Sequence, residues 1–308
     1  MRILLTGSSG FVGKNLCDSM PTNTFVQVVR GKSESVSKYI YKIDQFNSST
    51  DWGNAFEGVS AVIHLAGVAH NKQSYDTDFD EVNNKATLHL AREAVKSGIK
   101  RFVFVSSIGV NGASTSLTHF SATSNANPHN KYSQSKYNAE IGLKEIARTT
   151  GLEVVIVRPT LVYGVNAPGN FGLLTKLVTN LPFLPFGCVD NKRDFIAVQN
   201  LADLLITCAK HPNAAGHIFL ASDGKAVSIK EFTNAIAKGV GTKLIQLPVP
   251  VSFMRLAGKL LGKSTMIEQL VGNLEVDSSN LFEVLDWTPP YTMDESMSFL
   301  KQENKEFY

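Results

Sequence analysis

The sequence predicts an α/β protein: a doubly wound parallel sheet followed by a smaller, mostly helical C-terminal lobe. Three observations predict it. From Met1 to about Pro159, short β-branched runs alternate with longer amphipathic stretches, the pattern of strands joined by crossover helices. Gly7, Gly10 and Gly13 follow the first strand directly and open a helix. After Pro159 the alternation loosens into a Gly/Pro/Asn-rich passage, Val165 to Asp190, and then into helical periodicity.

Taken in order, the strands are RILLT (Arg2 to Thr6), FVQVV (Phe25 to Val29), YIYKI (Tyr39 to Ile43), AVIHL (Ala61 to Leu65), RFVFVSS (Arg101 to Ser107) and EVVIV (Glu153 to Val157). Each is apolar enough to be buried on both faces, as strands of a parallel sheet are. Between the fourth and fifth, Phe79, Val82, Ala86, Leu90 and Ala94 recur at helical spacing, so one helix face is expected on the sheet. Another helix is expected from about Pro128 to Arg148. NLADLLITCAKH (Asn200 to His211) reads as a helix and HIFLAS (His217 to Ser222) as a further strand. The first domain therefore spans 1–165 and is re-entered at about 194–222, leaving 166–193 and 223–308 to the lobe.

Composition narrows the function classes. The formal charge of +3 is small for 308 residues, and its cations are spread rather than gathered into a tract that follows a phosphate backbone. Nucleic acid is not an expected partner. Cys17, Cys188 and Cys208 show neither CxxC nor Cys/His ligand spacing, so no metal site or disulfide framework is expected, and a reducing cytoplasm fits. No apolar stretch approaches the roughly 20 residues of a membrane span. The one membrane-related signal is Val251 to Leu270, which is amphipathic and basic. It reads either as an interfacial helix or as a segment whose Phe253, Leu256, Leu260 and Leu261 pack on a core, and the core is the commoner fate.

TGSSGFVG, Thr6 to Gly13, has the glycine spacing of a Rossmann-like dinucleotide site. Gly7 permits the tight turn, Gly10 lets backbone approach a pyrophosphate, and Gly13 allows close helix–strand packing, with Phe11 and Val12 in the first helical turn. Glycine is also the default residue of any tight strand-to-helix turn, so placement carries the argument. The residue ending the second strand discriminates between NAD and NADP, because a carboxylate there holds the ribose 2′-hydroxyl and repels a 2′-phosphate. Here it is Arg30, with Lys32 two residues on, so the cofactor is NADP or NAD with NADP favoured. The other reading makes both cations solvated loop charges. Asp44, after the third strand, is either a partner for the adenine end or an ordinary loop residue.

YSQSK places Tyr132 and Lys136 at i and i+4, on one face of their helix. A neighbouring ammonium favours phenolate, which would draw the tyrosine toward a working pH and let it trade a proton with a substrate oxygen. Ser107, at the C-terminal end of the fifth strand, lies where ligands of an open α/β sheet bind. Lys136 would also hold the nicotinamide ribose. Alone, YxxxK is as well explained by a packed tyrosine and a solvated lysine. Joined to the glycine turn and the strand-end serine, it marks a catalytic group of Ser107, Tyr132 and Lys136.

TGSSGFVG, VIHLAG, RFVFVSS, YSQSK, RPTLVYG and RDFIAVQNLAD together resemble the extended short-chain dehydrogenase/reductase family in its NAD-dependent epimerase/dehydratase branch. The match covers nearly the whole chain and is nearest to bacterial nucleotide-sugar 4-reductases and 4-epimerases of polysaccharide pathways. The resemblance implies that Leu65, Ala66, Gly67 and Val68 pass the cofactor, that Pro159 and Leu161 lie against the nicotinamide, and that Asn83 stands near the cofactor. A buried asparagine bonding backbone is an equal reading of Asn83. It further implies that Ser107 and Ile108 meet the sugar, that Asn170, Phe171 and Arg193 contact the diphosphate, and that Pro185, Phe186 and Gly187 flank the uracil. An arginine suits a diphosphate because its rigid fork donates in pairs. The alternative is that Arg193 only pairs with Asp194. The family's second diphosphate arginine has no counterpart in VGNLEVDSSN, and Arg255 or Lys263 are the available substitutes.

Dehydration needs an acid pair after the strand-end serine, and Ile108 and Gly109 carry no proton. Two reactions remain. Arg30 favours net reduction at C4, most simply of a UDP-4-keto-6-deoxy-N-acetylhexosamine for surface polysaccharide (O-antigen). A UDP-sugar 4-epimerase that retains NAD, acting on UDP-glucose or UDP-N-acetylglucosamine, is the alternative. A regulator that senses NADP without turnover is a third class, disfavoured because such proteins usually lack the tyrosine or lysine. The expected partners are a UDP-linked sugar and a second copy of the chain.

Overall fold

The computed structural model describes residues 1–31, 39–69 and 77–303. The sheet is built from β1 (Ile3–Thr6), β2 (Phe25–Arg30), β3 (Ile40–Ile43), β4 (Ala61–His64), β5 (Arg101–Val105) and β6 (Glu153–Pro159), and it is completed by a late strand described below. Helix α1 (Phe11–Asp18) follows β1, and α2 (Thr77–Asp80) runs through a π-helical turn, Glu81–Lys85, into α3 (Ala86–Lys96). Helix α4 (Lys131–Thr150) starts at a capping box in which Asn130 and Ser133 satisfy each other's backbone, and ends at Gly151 in the left-handed region.

The remaining elements are β7 (Leu161–Tyr163), α5 (Gly169–Asn180), β8 (Phe183–Leu184), β9 (Phe195–Ala197), α6 (Val198–Lys210), β10 (Ile218–Ala221), α7 (Ile229–Val240), β11 (Ile245–Gln246), α8 (Val251–Leu260), α9 (Ser264–Val271), α10 (Ser279–Leu285), α11 (Met293–Ser298) and α12 (Leu300–Glu303). The strand order β10-β6-β5-β4-β1-β2-β3 is parallel throughout. Strand order reverses between β1 and β4, and ligands of such sheets bind at this switch point, beyond the carboxyl ends of the strands.

Two apolar layers cover the sheet. One includes Ile3, Leu5, Val103, Val155 and Leu205, and the other Leu4, Val62, Leu90, Phe102 and Leu143. Alternate residues of one strand thus feed opposite layers, which is why the strands read as continuous apolar runs. A third core, around Tyr163, Phe171, Phe195 and Phe232, holds the C-terminal lobe. Leu281, Leu285 and Trp287 join the first layer rather than this one. Short pairs absent from the sequence reading, β7 with β9 and β8 with β11, connect the two regions or brace the lobe. Pairs of two or three residues leave no periodicity to detect.

One packing expectation fails. Phe253, Leu256, Leu260 and Leu261 are exposed, whereas Met254 and Gly258 of α8 turn inward. The cause is a close helical hairpin: a Cβ on Gly258 would stand 2.6 Å from Ile267 Cγ1, so α8 meets α9 through its glycine face. No helix among the described residues is long and apolar enough to cross a membrane.

Candidate active site

The glycine turn closes against the neighbouring strand end. Gly7 has φ of +74°, and a Cβ there would lie 2.8 Å from Ala66 N. A Cβ on Gly13 would approach Gly7 O to 2.2 Å, so α1 sits directly on the turn. Gly10 caps α1 with no side-chain bond to its first turn, Phe11 and Val12 are half-buried, and no acid stands in that turn. The structure therefore brings Gly7, Gly10, Gly13, Leu65 and Ala66 together at the switch point.

Ser107 lies two residues beyond β5 and caps the 3-10 turn Ile108–Val110, its Oγ accepting from Gly109 N at 3.1 Å. The Tyr132 phenol lies near the Ser107 side chain, which works to lower its pKa, and the Tyr132 ring meets Phe79 edge-on. Burial pushes the Tyr132 phenol up to about 12, with Ser107 opposing. The expected lowering by Lys136 is absent because the ammonium points elsewhere. Lys136 Nζ donates to Val105 O at 3.0 Å and lies 4.7 Å over the Phe104 ring. Burial brings Lys136 down to about 8, and Glu140 opposes that shift.

A second polar layer supports this group. Ser106 Oγ donates to Glu140 Oε1, and the Arg158 guanidinium pairs with the same carboxylate while donating to Asn111 Oδ1 at 2.9 Å. All four residues are buried. On the other side, Asn83 Oδ1 accepts from Val68 N at 2.8 Å and its Nδ2 donates to Val68 O and Ser135 Oγ. Asn83 thus bonds backbone, and it fixes the Leu65–Val68 segment beside Lys136. A Cβ on Gly67 would stand 2.9 Å from Asn83 Oδ1 and 3.2 Å from Lys136 Nζ. His64 lies beneath, between Thr6 and Thr87, with burial and the Lys136 charge holding it well below the usual histidine value.

The remaining expected residues are spread around this centre. Pro159 closes β6 and is buried. Arg30 and Asp44 are exposed at the ends of β2 and β3, and Lys32 lies outside the described residues. Ile108 is buried with Leu220, Leu274 and Val276. Phe171 and Phe186 are core residues of the lobe, so neither ring is open to a ligand. Asn170 is exposed, and it and Phe171 lie in the first turn of α5, which no side chain caps. Arg193 makes no ion pair with Asp194 among the described residues. Its Nη1 donates to Gly272 O at 2.8 Å, Asp194 accepts instead from Val276 N, and burial lowers Arg193 to about 10. Arg255 is occupied by Glu268 on the exposed hairpin.

A parallel sheet with a glycine-lined switch point, and a serine, tyrosine and lysine gathered at its carboxyl edge, defines a dinucleotide-dependent oxidoreductase. The chain belongs to the NAD dependent epimerase/dehydratase family, whose model matches residues 3–221. It is 39% identical to a UDP-glucose 4-epimerase of Vibrio cholerae, over 98% of this chain and 97% of that one. It is 25% identical to a dTDP-4-dehydro-6-deoxyglucose reductase of Escherichia coli, over 97% of this chain and 96% of the relative. In fold it is similar to the Bordetella bronchiseptica enzyme WbmG in complex with NAD and UDP (TM-score 0.75, 20% identity, 100% of this chain and 94% of that chain).

Proposed function

We propose that this chain is a UDP-sugar 4-epimerase that retains NAD through its catalytic cycle. The observation that carries the reading is the gathering of Ser107, the Tyr132 phenol and the buried Lys136 ammonium just beyond the end of β5. The Vibrio cholerae relative supports epimerisation over the net reduction that Arg30 suggests. Against dehydration, the two positions that follow Ser107 are Ile108 and Gly109, neither of which can carry a proton.

The residues fit NAD. Gly7, Gly10 and Gly13 keep side chains out of the pyrophosphate approach, and Lys136 Nζ has Val105 O as its sole acceptor among the described residues, leaving donors for the ribose hydroxyls. Held there, NAD would supply the hydride acceptor and donor for C4. Tyr132 moves the proton of the C4 oxygen, and Ser107 holds that oxygen by a hydrogen bond. Lys136 orients the cofactor ribose, and Asn83 keeps the Leu65–Val68 segment in register with it. Arg193 supplies the cation for the diphosphate, and the uncapped first-turn amides of α5 are further donors the lobe offers.

The test is to incubate purified protein with UDP-glucose, UDP-galactose and UDP-N-acetylglucosamine without added nicotinamide, and to follow the C4 epimers by chromatography. The expected result is interconversion with no accumulation of reduced cofactor. Turnover only with added NADPH and a UDP-4-keto sugar would reject the epimerase in favour of the reductase.

A further inference from the structure

We infer that the α8–α9 hairpin is a docking surface for a membrane carrying anionic phospholipid. A solvated helix presents polar side chains outward. Helix α8 does the reverse: Phe253 is 64% exposed, Leu256 53%, Leu260 78% and Leu261, just beyond its end, 72%. The spacing of three and four residues puts Phe253, Leu256 and Leu260 on one stripe, with Leu261 beside its end, and the stripe lies away from Met254 and Gly258, which face the lobe and α9. Met266 of α9 is exposed as well. Packing within the chain therefore consumes the other side of the helix and leaves this one without a partner among the described residues.

The charges around the stripe select the occupant. From Val251 to Leu270 there are three cations, Arg255, Lys259 and Lys263, and one carboxylate, Glu268. Glu268 is taken by Arg255, with Nε to Oε1 at 2.8 Å. Lys259 and Lys263 are exposed and make no ion pair among the described residues, and they flank Leu260 and Leu261 directly. A second copy docked two-fold on this face would bring like charges together. An anionic headgroup layer neutralises them while phenylalanine and leucine enter the acyl boundary, with the lysine stems extended to the phosphates.

The experiment is sedimentation of the full chain with phosphatidylcholine vesicles, with and without phosphatidylglycerol, at low and high salt. We expect retention on the anionic vesicles alone and release by salt. Leu260→Ser/Leu261→Ser and, separately, Lys259→Glu/Lys263→Glu are each expected to weaken retention by about tenfold or more, with an unchanged melting temperature. Absence of binding by the unaltered protein overturns the inference. So does equal binding by all three proteins, or a dimer that Leu260→Ser/Leu261→Ser dissociates while no vesicle is bound.

Discussion

In the proposed reaction Tyr132 moves the proton, and its environment explains what replacement should do. Tyr132→Phe keeps the ring against Phe79 and deletes the hydroxyl beside Ser107. Epimerisation is expected to fall by about 10²-fold or more, with little change in melting temperature, and steady-state rates alongside a thermal melt check both. Lys136 titrates differently in the two states of the chain. Below pH 8 both carry the proton, and the folded state bears the full desolvation cost. Between about 8 and the ordinary lysine value, the unfolded chain keeps a proton that the folded one has released, so stability rises with pH. The ligand-free Lys136→Met variant lacks this term. Its advantage over the unaltered protein should shrink by about 2 kcal/mol between pH ~7.5 and ~10, as read by denaturant unfolding.

At the scale of elements, much of the architecture is written in local spacing. Gly7, Gly10 and Gly13 are legible because a turn, a helix start and a helix–turn contact each forbid a side chain at a fixed offset. Gly13→Ala would force α1 off Gly7 O, since backbone cannot yield as a flexible side chain can. The expected cost is about 2 kcal/mol, with NAD binding lost in a fluorescence titration. Tyr132 and Lys136 are legible for the same reason, as i and i+4 of one capped helix. The direction of the Lys136 ammonium is not, because Val105 and Phe104 reach it from another strand. Phe171 shows the limit of carrying roles over by position: α5 turns its ring into the lobe core, while Asn170 beside it stays exposed.

On the scale of the whole molecule, the buried Glu140–Arg158 pair ties α4 to β6, and Ser106 extends the tie to the end of β5. Removing the carboxylate leaves Arg158 buried without its counter-charge, which costs about 3–5 kcal/mol. Glu140→Ala should therefore lower the unfolding free energy by that order in chemical denaturation. It should also cut turnover, because Lys136 loses the nearby charge that sustains its ammonium. Sequence reading missed this layer. Its partners lie 18 and 34 residues apart, and a glutamate or arginine in an amphipathic pattern looks like surface.

The sequence by itself determined the parallel α/β architecture, the glycine switch point and the Ser107, Tyr132 and Lys136 group. Strand periodicity, tight turns and helix faces are properties of neighbours a few residues apart. Only the tertiary structure decided that Lys136 is held back on Val105, that Arg193 is half-buried without a carboxylate among the described residues, that Phe171 and Phe186 are core, and that the α8 stripe faces outward. These depend on contacts between distant segments, where burial, charge pairing and the one open side of a hairpin are settled by what packs against each residue.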